Sequence, residues 1–278
     1  MLNKMYKKLK INSDLLKNKR GLKIIKFKGG LGNQLFQYGL YNFFEKKNFL
    51  VYADLSFYKN QENFKKITTR KFYLNNILKK KLKVLNADSK SYQYLLVQKF
   101  EKFFSNLLEL NIITPNIFWE GYWQKFFFAQ NIKKKLFKDS LLRINKSFPK
   151  NYYILHFRCG DFRYSKSHVV IDAEYYEKTL KKFKNYTILA LSDDHKELKK
   201  LLKKINHKNK IIRVNRLDEL KTFNLIINSK GGISSNSTFA WWGSYLCKSN
   251  NWFYPNKWLK NINTINANLK ISNYKIVK

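Results

Sequence analysis

"KIIKFKGGLGNQLFQYGLYNFFEKK", Lys23 to Lys47, decides the fold class. The short apolar run Lys23–Phe27 reads as a strand. Gly29, Gly30 and Gly32 then form a turn. The segment after it carries Leu35, Phe36, Leu40, Phe43 and Phe44 on one broad helical face. "NFLVYADL", Asn48 to Leu55, supplies a second strand ending at Asp54. Strand, turn, helix and strand in this order imply a parallel sheet with a right-handed crossover. The turn lacks the lysine and serine of a phosphate-gripping P-loop and the third glycine of a dinucleotide fingerprint. Neither ATP nor NAD is its expected ligand.

A second alternating series starts at Tyr152, just after Pro149. "YYILHF" is a strand and "RCGDFR" the polar loop beyond it. "DAEYYEKTLKKF" is a helix that Asp172 can cap. "YTILALSDD" is a strand ending in acids, "HKELKKLLKKI" a helix and "KIIRV" a strand. "LDELKTFNLIINSK" is a helix with Asp218 in its first turn. "GGISSN" is a short strand or turn, "STFAWWGSYLCK" a helix and "NWFYP" a final strand. Between the two series the pattern is weaker: "YLLVQKFEKFFSNLLEL" looks helical, and "IFWEGYWQKFFFAQNIKKKLF" passes from strand to helix. Three segments are therefore expected. Residues 1–20 form a basic extension, an appended helix or a loose arm. Residues 21–150 form one Rossmann-like unit and residues 151–278 a second, with a cleft between their strand ends.

Composition narrows the class. The chain has 278 residues, 44% of them apolar, enough for a substantial core. No run of about 18 apolar residues appears, and the N-terminus has no signal-peptide apolar centre, so the expected place is the cytoplasm. Two distant cysteines, Cys159 and Cys247, fit neither a disulfide framework nor a zinc cluster. The net charge of +38 admits nucleic acid, an anionic membrane surface or an anionic small substrate. Lysine outnumbers arginine and is spread along the chain, which reads as solvated faces. The resulting field steers anions toward a cleft.

Four polar clusters fall at strand ends, where open parallel sheets bind ligands. In the first, Gly30 and Gly32 allow close backbone approach, and Asn33 and Gln34 lie in the first helical turn, facing the cleft. In the second, strand alternation puts His156 and Arg158 on one side. Arg158 can grip two phosphate oxygens or pair with Asp161, and Asp161 can orient Arg158, act as a base or brace the loop. The third is Ser192-Asp193-Asp194: one acid to bond a base or ribose, the other to cap the next helix. The fourth, Ser234-Ser235-Asn236-Ser237-Thr238, precedes an apolar helix and makes both an N-cap and an anion site. Trp241 and Trp242 read as helix core, with stacking on a base as the alternative. No motif supplies a metal site.

"GGLGNQLFQY", "GYWQ", "HFRCGDF", "SDD" and "SNSTFAWWGSYL", in this order, resemble the bacterial α-1,2-fucosyltransferases of glycosyltransferase family 11 over about residues 22–258. Related signatures occur in protein O-fucosyltransferases. The resemblance implies an α/β fold of GT-B type, with two Rossmann-like domains facing a cleft. It implies inverting, metal-independent transfer from GDP-L-fucose, with no cofactor. It also implies that the C-terminal half binds most of the donor. His156 and Arg158 match the family's His-x-Arg, the arginine being the expected ligand of the donor's β-phosphate. Asn33 matches the asparagine that reaches the donor, Ser237 and Thr238 the phosphate-side positions, and Asp193 or Asp194 the acid near the nucleoside. The usual pattern is His-x-Arg-Arg-Gly-Asp-Tyr. Here the second arginine is Cys159 and the tyrosine Phe162, and Arg163 is the residue placed to replace the lost charge.

Asp161 and His156 are the visible candidates for a base. Asp54, Tyr122, Trp123 and Gln124 are the expected acceptor-side residues, "GYWQ" being alternatively a packed wall. The expected acceptor is a terminal galactose on a lipopolysaccharide or O-antigen-type glycan. Basic residues are expected to hold the chain on the inner face of the anionic cytoplasmic membrane, near lipid-linked acceptors. The competing readings are a GT-B transferase using another sugar nucleotide or a peptide acceptor, and a basic nucleic-acid-binding protein. No nucleic-acid motif supports the last, and no nucleic-acid partner is expected.

Overall fold

The computed structural model describes residues 7, 9–59, 69–85, 92–132, 136–139, 147–183, 185–215, 217–260, 269 and 275–277. The chain divides into two compact units, Met1–Leu136 and Phe137–Lys278, which places residues 137–150 with the second. Both are α/β, each on a parallel sheet, as the GT-B class requires.

In the first unit β1 (Leu22–Lys26) leads through the glycine turn into α1 (Leu31–Lys46) and back to β2 (Leu50–Asp54). Helices α2 (Tyr92–Lys99) and α3 (Glu101–Glu109) precede β3 (Phe118–Glu120), and the strand order is β2-β1-β3, all parallel. The stretch Tyr94–Leu110, which reads as one helix, is two, broken at Phe100 (φ −109°, ψ 29°). Helix α1 is held to the sheet by aromatic packing of Phe44 on Trp119, ring centroids 4.9 Å apart, and by the Tyr41 hydroxyl donating to the Val51 carbonyl at 3.1 Å. The N-terminal segment is not a loose arm over residues 9–20. Leu9 and Ile11 are buried in one cluster with Leu22, Ile24, Leu50, Leu85, Tyr94 and Phe118, where they cover apolar surface of β1 and β2. Residues 1–6 and 8 lie outside the described residues.

Lys23 is the unusual core residue. Its ammonium donates to the carbonyls of Thr114 and Asn116 at 2.8 and 2.7 Å, inside a cage of Phe44, Phe49 and Trp119 rings 4.9–5.4 Å away. Burial lowers its pKa to about 8. The folded state therefore sheds this proton before the unfolded chain does. Between about pH 8 and the ordinary lysine value the unfolded state binds more protons, and stability rises with pH across that window. Urea midpoints should climb from neutral pH into this range, and Lys23→Met should flatten the climb. An identical climb in the variant would assign it to other groups.

In the second unit every strand is parallel, in the order β6-β5-β4-β7-β8-β9. The strands are β4 (Tyr153–Phe157), β5 (Thr187–Ser192), β6 (Lys210–Arg213), β7 (Gly232–Ile233), β8 (Trp252–Pro255) and β9 (Lys275–Val277). The unit's first strand, β4, is central, and successive strands build outward to one side, then to the other. That is a Rossmann order, with its switch point between β4 and β7. Helices α4 (Ala173–Leu180), α5 (His195–Lys204) and α6 (Glu219–Ile227) start on Asp172, Asp194 and Asp218, each carboxylate accepting an amide of the first turn at 2.8–3.0 Å. Helix α7 (Thr238–Leu246) follows β7, and Trp241 and Trp242 are fully buried on it, which removes the base-stacking alternative. β8 is not the final strand: β9 adds parallel to it, Phe253 opposite Lys275. Cys159 and Cys247 are both buried and unbridged.

Candidate functional site

In the second unit, the site is built where β4 and β7 end. Parallel pairing of Leu155 with Ile233 brings the loop after each strand to the same edge of the sheet. His156 Nδ1 lies 2.8 Å from Ser235 Oγ and ties the two loops together across the switch point. His156 is buried, and its pKa falls to about 3, first through burial and then through the neighbouring Arg158 cation. The ring is therefore neutral at physiological pH. It is a brace at the switch point rather than a cation for phosphate, and a feeble proton acceptor.

Arg158 projects two residues beyond it. One terminal nitrogen donates to Asp161 Oδ1 at 2.6 Å and the other reaches Asp193 Oδ2 at 2.8 Å. The guanidinium lies over the Phe162 ring at 4.9 Å, and the His168 ring stacks on Phe162 with centroids 4.3 Å apart. Asp193 uses its other oxygen to accept the Cys159 amide at 3.0 Å. It thus braces the arginine and the loop together. The same carboxylate crowds Gly160, where an added Cβ would sit 2.5 Å from Asp193 Oδ2. Asp194 caps α5 and accepts from Arg163 at 2.8 Å. Arg163, the expected replacement for a second arginine, is committed to Asp194 and, at 3.4 Å, to Glu197. The Cys159 side chain is in the core beside Phe157, Tyr175 and Tyr176, and burial raises its thiol pKa.

The serine-rich stretch is mostly framework. Ser235 and Asn236 are buried. Ser235 meets His156, and the Asn236 amide donates to the carbonyls of Val169 and Trp258 at 2.9 and 3.0 Å. Both side chains are buried and bonded within the protein through the Ser235 hydroxyl and the Asn236 amide nitrogen. Ser237 is the N-cap residue of α7, yet its side chain makes no capping bond. A helix start of this kind is where an anion can be received.

In the first unit the glycine turn is braced by side-chain bonds to the Gly29 carbonyl from Gln34 and Tyr58. Gly29 takes φ +79°, and Gly30, extended at φ −77°, is the N-cap of α1. Gln34 does not face outward. It is fully buried and donates to the carbonyls of Gly29 and Lys71 at 3.1 and 2.7 Å while accepting the Tyr73 amide at 2.9 Å. Gly32 is buried, and Asn33 is half-buried with its Oδ1 accepting from Gln124 at 3.0 Å. Of the acceptor-side residues, Tyr122 is exposed and Gln124 half-buried. Asp54 and Trp123 are corrected. Asp54 is buried, accepting from the Ser56 amide and the Tyr94 hydroxyl at 2.9 and 3.0 Å. Trp123 is fully buried against Trp119 and Phe128. Sequence reasoning misses Lys26, Lys28 and Glu120, which meet at the ends of β1 and β3. Glu120 takes Lys28 at 3.0 Å and Lys26 at 3.2 Å, and the Lys28 ammonium lies 4.9 Å from the Tyr122 ring centroid. Their only local signal is the position of each at a strand end.

Each of the two α/β units is built on a parallel sheet, and the second carries a guanidinium and a helix start at its switch point, where open sheets of this kind receive ligands. A profile of glycosyl transferase family 11 matches residues 2–276, and the chain belongs to that family. It is 26% identical to the O-antigen biosynthesis glycosyltransferase WbnK of Escherichia coli, over 78% of this chain and 88% of that protein. Among solved structures, a glycosyl transferase family 9 protein from Veillonella parvula DSM 2008 aligns with 87% of this chain and 82% of its own, at 8% identity and a TM-score of 0.40.

Proposed function

We propose that this glycosyltransferase moves L-fucose from GDP-β-L-fucose to a galactose hydroxyl of a cell-surface glycan, with inversion and without a metal, giving an α-1,2 linkage. Family membership and the five ordered motifs support the reaction class, and the O-antigen role in the name of WbnK supports a glycan acceptor. The observation that carries the reading is Arg158, a guanidinium backed by Asp193 at 2.8 Å, at the edge where α7 begins.

In the proposed reaction the acceptor oxygen bonds to the anomeric carbon as the bond to the β-phosphate oxygen breaks. GDP leaves with the electron pair. Negative charge growing on the diphosphate is met by Arg158 and by the first amides of α7 near Ser237 and Thr238. Bond breaking that runs ahead of bond making asks little of a base. Asp161 is the better placed of the two expected candidates, since burial leaves His156 a weak acceptor of protons.

Incubation with GDP-L-fucose and galactose-terminated oligosaccharides should release GDP and yield an α-1,2-fucoside by NMR linkage analysis, at a rate EDTA leaves unchanged. Turnover only with a different sugar nucleotide, or a rate abolished by EDTA and restored by manganese, would overturn the proposal.

A further inference from the structure

Helices α2 and α3 carry an apolar stripe that the first unit does not cover. Leu96, Phe100, Phe103, Leu107 and Leu110 recur along α2, the break at Phe100 and α3. Leu107 is half-buried, but Leu96, Phe100, Phe103 and Leu110 are 45–71% exposed, and Ile112 beyond them is 50% exposed. Neighbouring rings anchor the two helices: Tyr94 packs on Phe118 and Phe104 on Trp119, ring centroids 5.1 and 5.7 Å apart. Single exposed apolar residues are ordinary, whereas a contiguous stripe of this kind marks a contact surface.

Charge selects the partner. Lys99 and Lys102 are exposed along the stripe, and the Lys99 ammonium lies 5.8 Å from the Phe100 ring centroid. The carboxylates of the same helices are paired within their own unit, Glu109 while remaining half exposed. Glu101 accepts the amides of Tyr122 and Trp123, and Glu109 pairs with Lys125 at 2.6 Å. A second copy of the chain would bring another +38 charge against this one, so self-association through the stripe is opposed. An anionic lipid surface is attracted by that charge, and Phe and Leu flanked by Lys is the composition that lies in a bilayer interface. No described helix is long and apolar enough to cross a membrane, so the contact is interfacial.

We propose that the Leu96–Ile112 face is a docking surface for anionic phospholipid membrane, with the apolar stripe entering the headgroup boundary and Lys99 and Lys102 meeting lipid phosphates. The inference does not rest on the fucosyl reading, since its test needs no turnover. Flotation of the full chain should show binding to vesicles containing phosphatidylglycerol and little to phosphatidylcholine alone. Leu96→Gln, Phe103→Gln and Leu110→Gln together should lower binding at least about tenfold while the circular dichroism stays unchanged. Hydrogen exchange of the unaltered chain, which needs no variant to fold, should show vesicle-dependent protection centred on α2 and α3. Three results would overturn the proposal: protection elsewhere or none, equal binding by the triple variant, or a dimer in sedimentation velocity that this variant converts to monomer.

Discussion

Arg158→Ala lowers turnover of GDP-fucose by about 10²–10³, the usual loss when one preorganised donor to a developing anion is removed. The fold should tolerate the change. The Arg158 side chain is 17% exposed and its partner Asp161 45% exposed, so freed Asp161 returns to water, and Asp193 keeps the Cys159 amide. Stability should move by no more than about 1 kcal/mol. Arg158→Lys should not restore the rate. One ammonium cannot hold Asp193 and an anion on separate nitrogens, nor lie flat on Phe162. The carboxylates also make a finer prediction. Both occupy guanidinium nitrogens, but Asp161 is the more exposed, 45% against 26%. A phosphate is then expected to displace Asp161 and keep Asp193. Asp161→Asn should lower the KM for the donor, whereas Asp193→Asn should lower kcat by loosening the guanidinium. Near-normal turnover by Arg158→Ala would remove the arginine from the chemistry altogether.

The alternation of strands and helices is legible because its signals are local. Asp172, Asp194 and Asp218 each cap the helix that follows, and a carboxylate three residues from its amide is visible in any short window. The Asp161 half of the Arg158 pairing is visible for the same reason. The Asp193 half is not, since it is made by a neighbouring strand 35 residues away in sequence. Polar residues at strand ends are the least legible of all. Asn236 resembles a ligand contact until its amide is seen to hold Val169 and Trp258, and Asp54 until Tyr94 closes on it. A buried polar group must find a partner, but sequence does not say whether that partner is backbone or substrate. β9 escapes for a different reason. Three residues near the end of the chain carry too short a pattern to mark a strand, and pairing with β8 decides it.

The glycine turn provides the sharpest test of framework against ligand contact. Gln34→Leu should destabilise the chain by about 3 kcal/mol, seen as a lower urea midpoint at unchanged slope. The argument is one of long-range bracing. Gln34 is fully buried and makes three bonds with the backbone of Gly29, Lys71 and Tyr73, at 3.1, 2.7 and 2.9 Å. Leucine fills the volume but returns none of these part-buried bonds. The loss falls on the turn that sets α1 on its course, so it should propagate to the whole unit rather than fray one loop. Asn33 is the contrasting neighbour. It is half-buried, and its Gln124 contact is one side chain to another. Asn33→Ala should therefore leave the urea midpoint near that of the unaltered chain, and any effect should fall on the KM for the donor. The reverse pattern, with Gln34→Leu stable but impaired in donor binding and Asn33→Ala unfolding early, would mean that the residue facing the ligand has been misassigned.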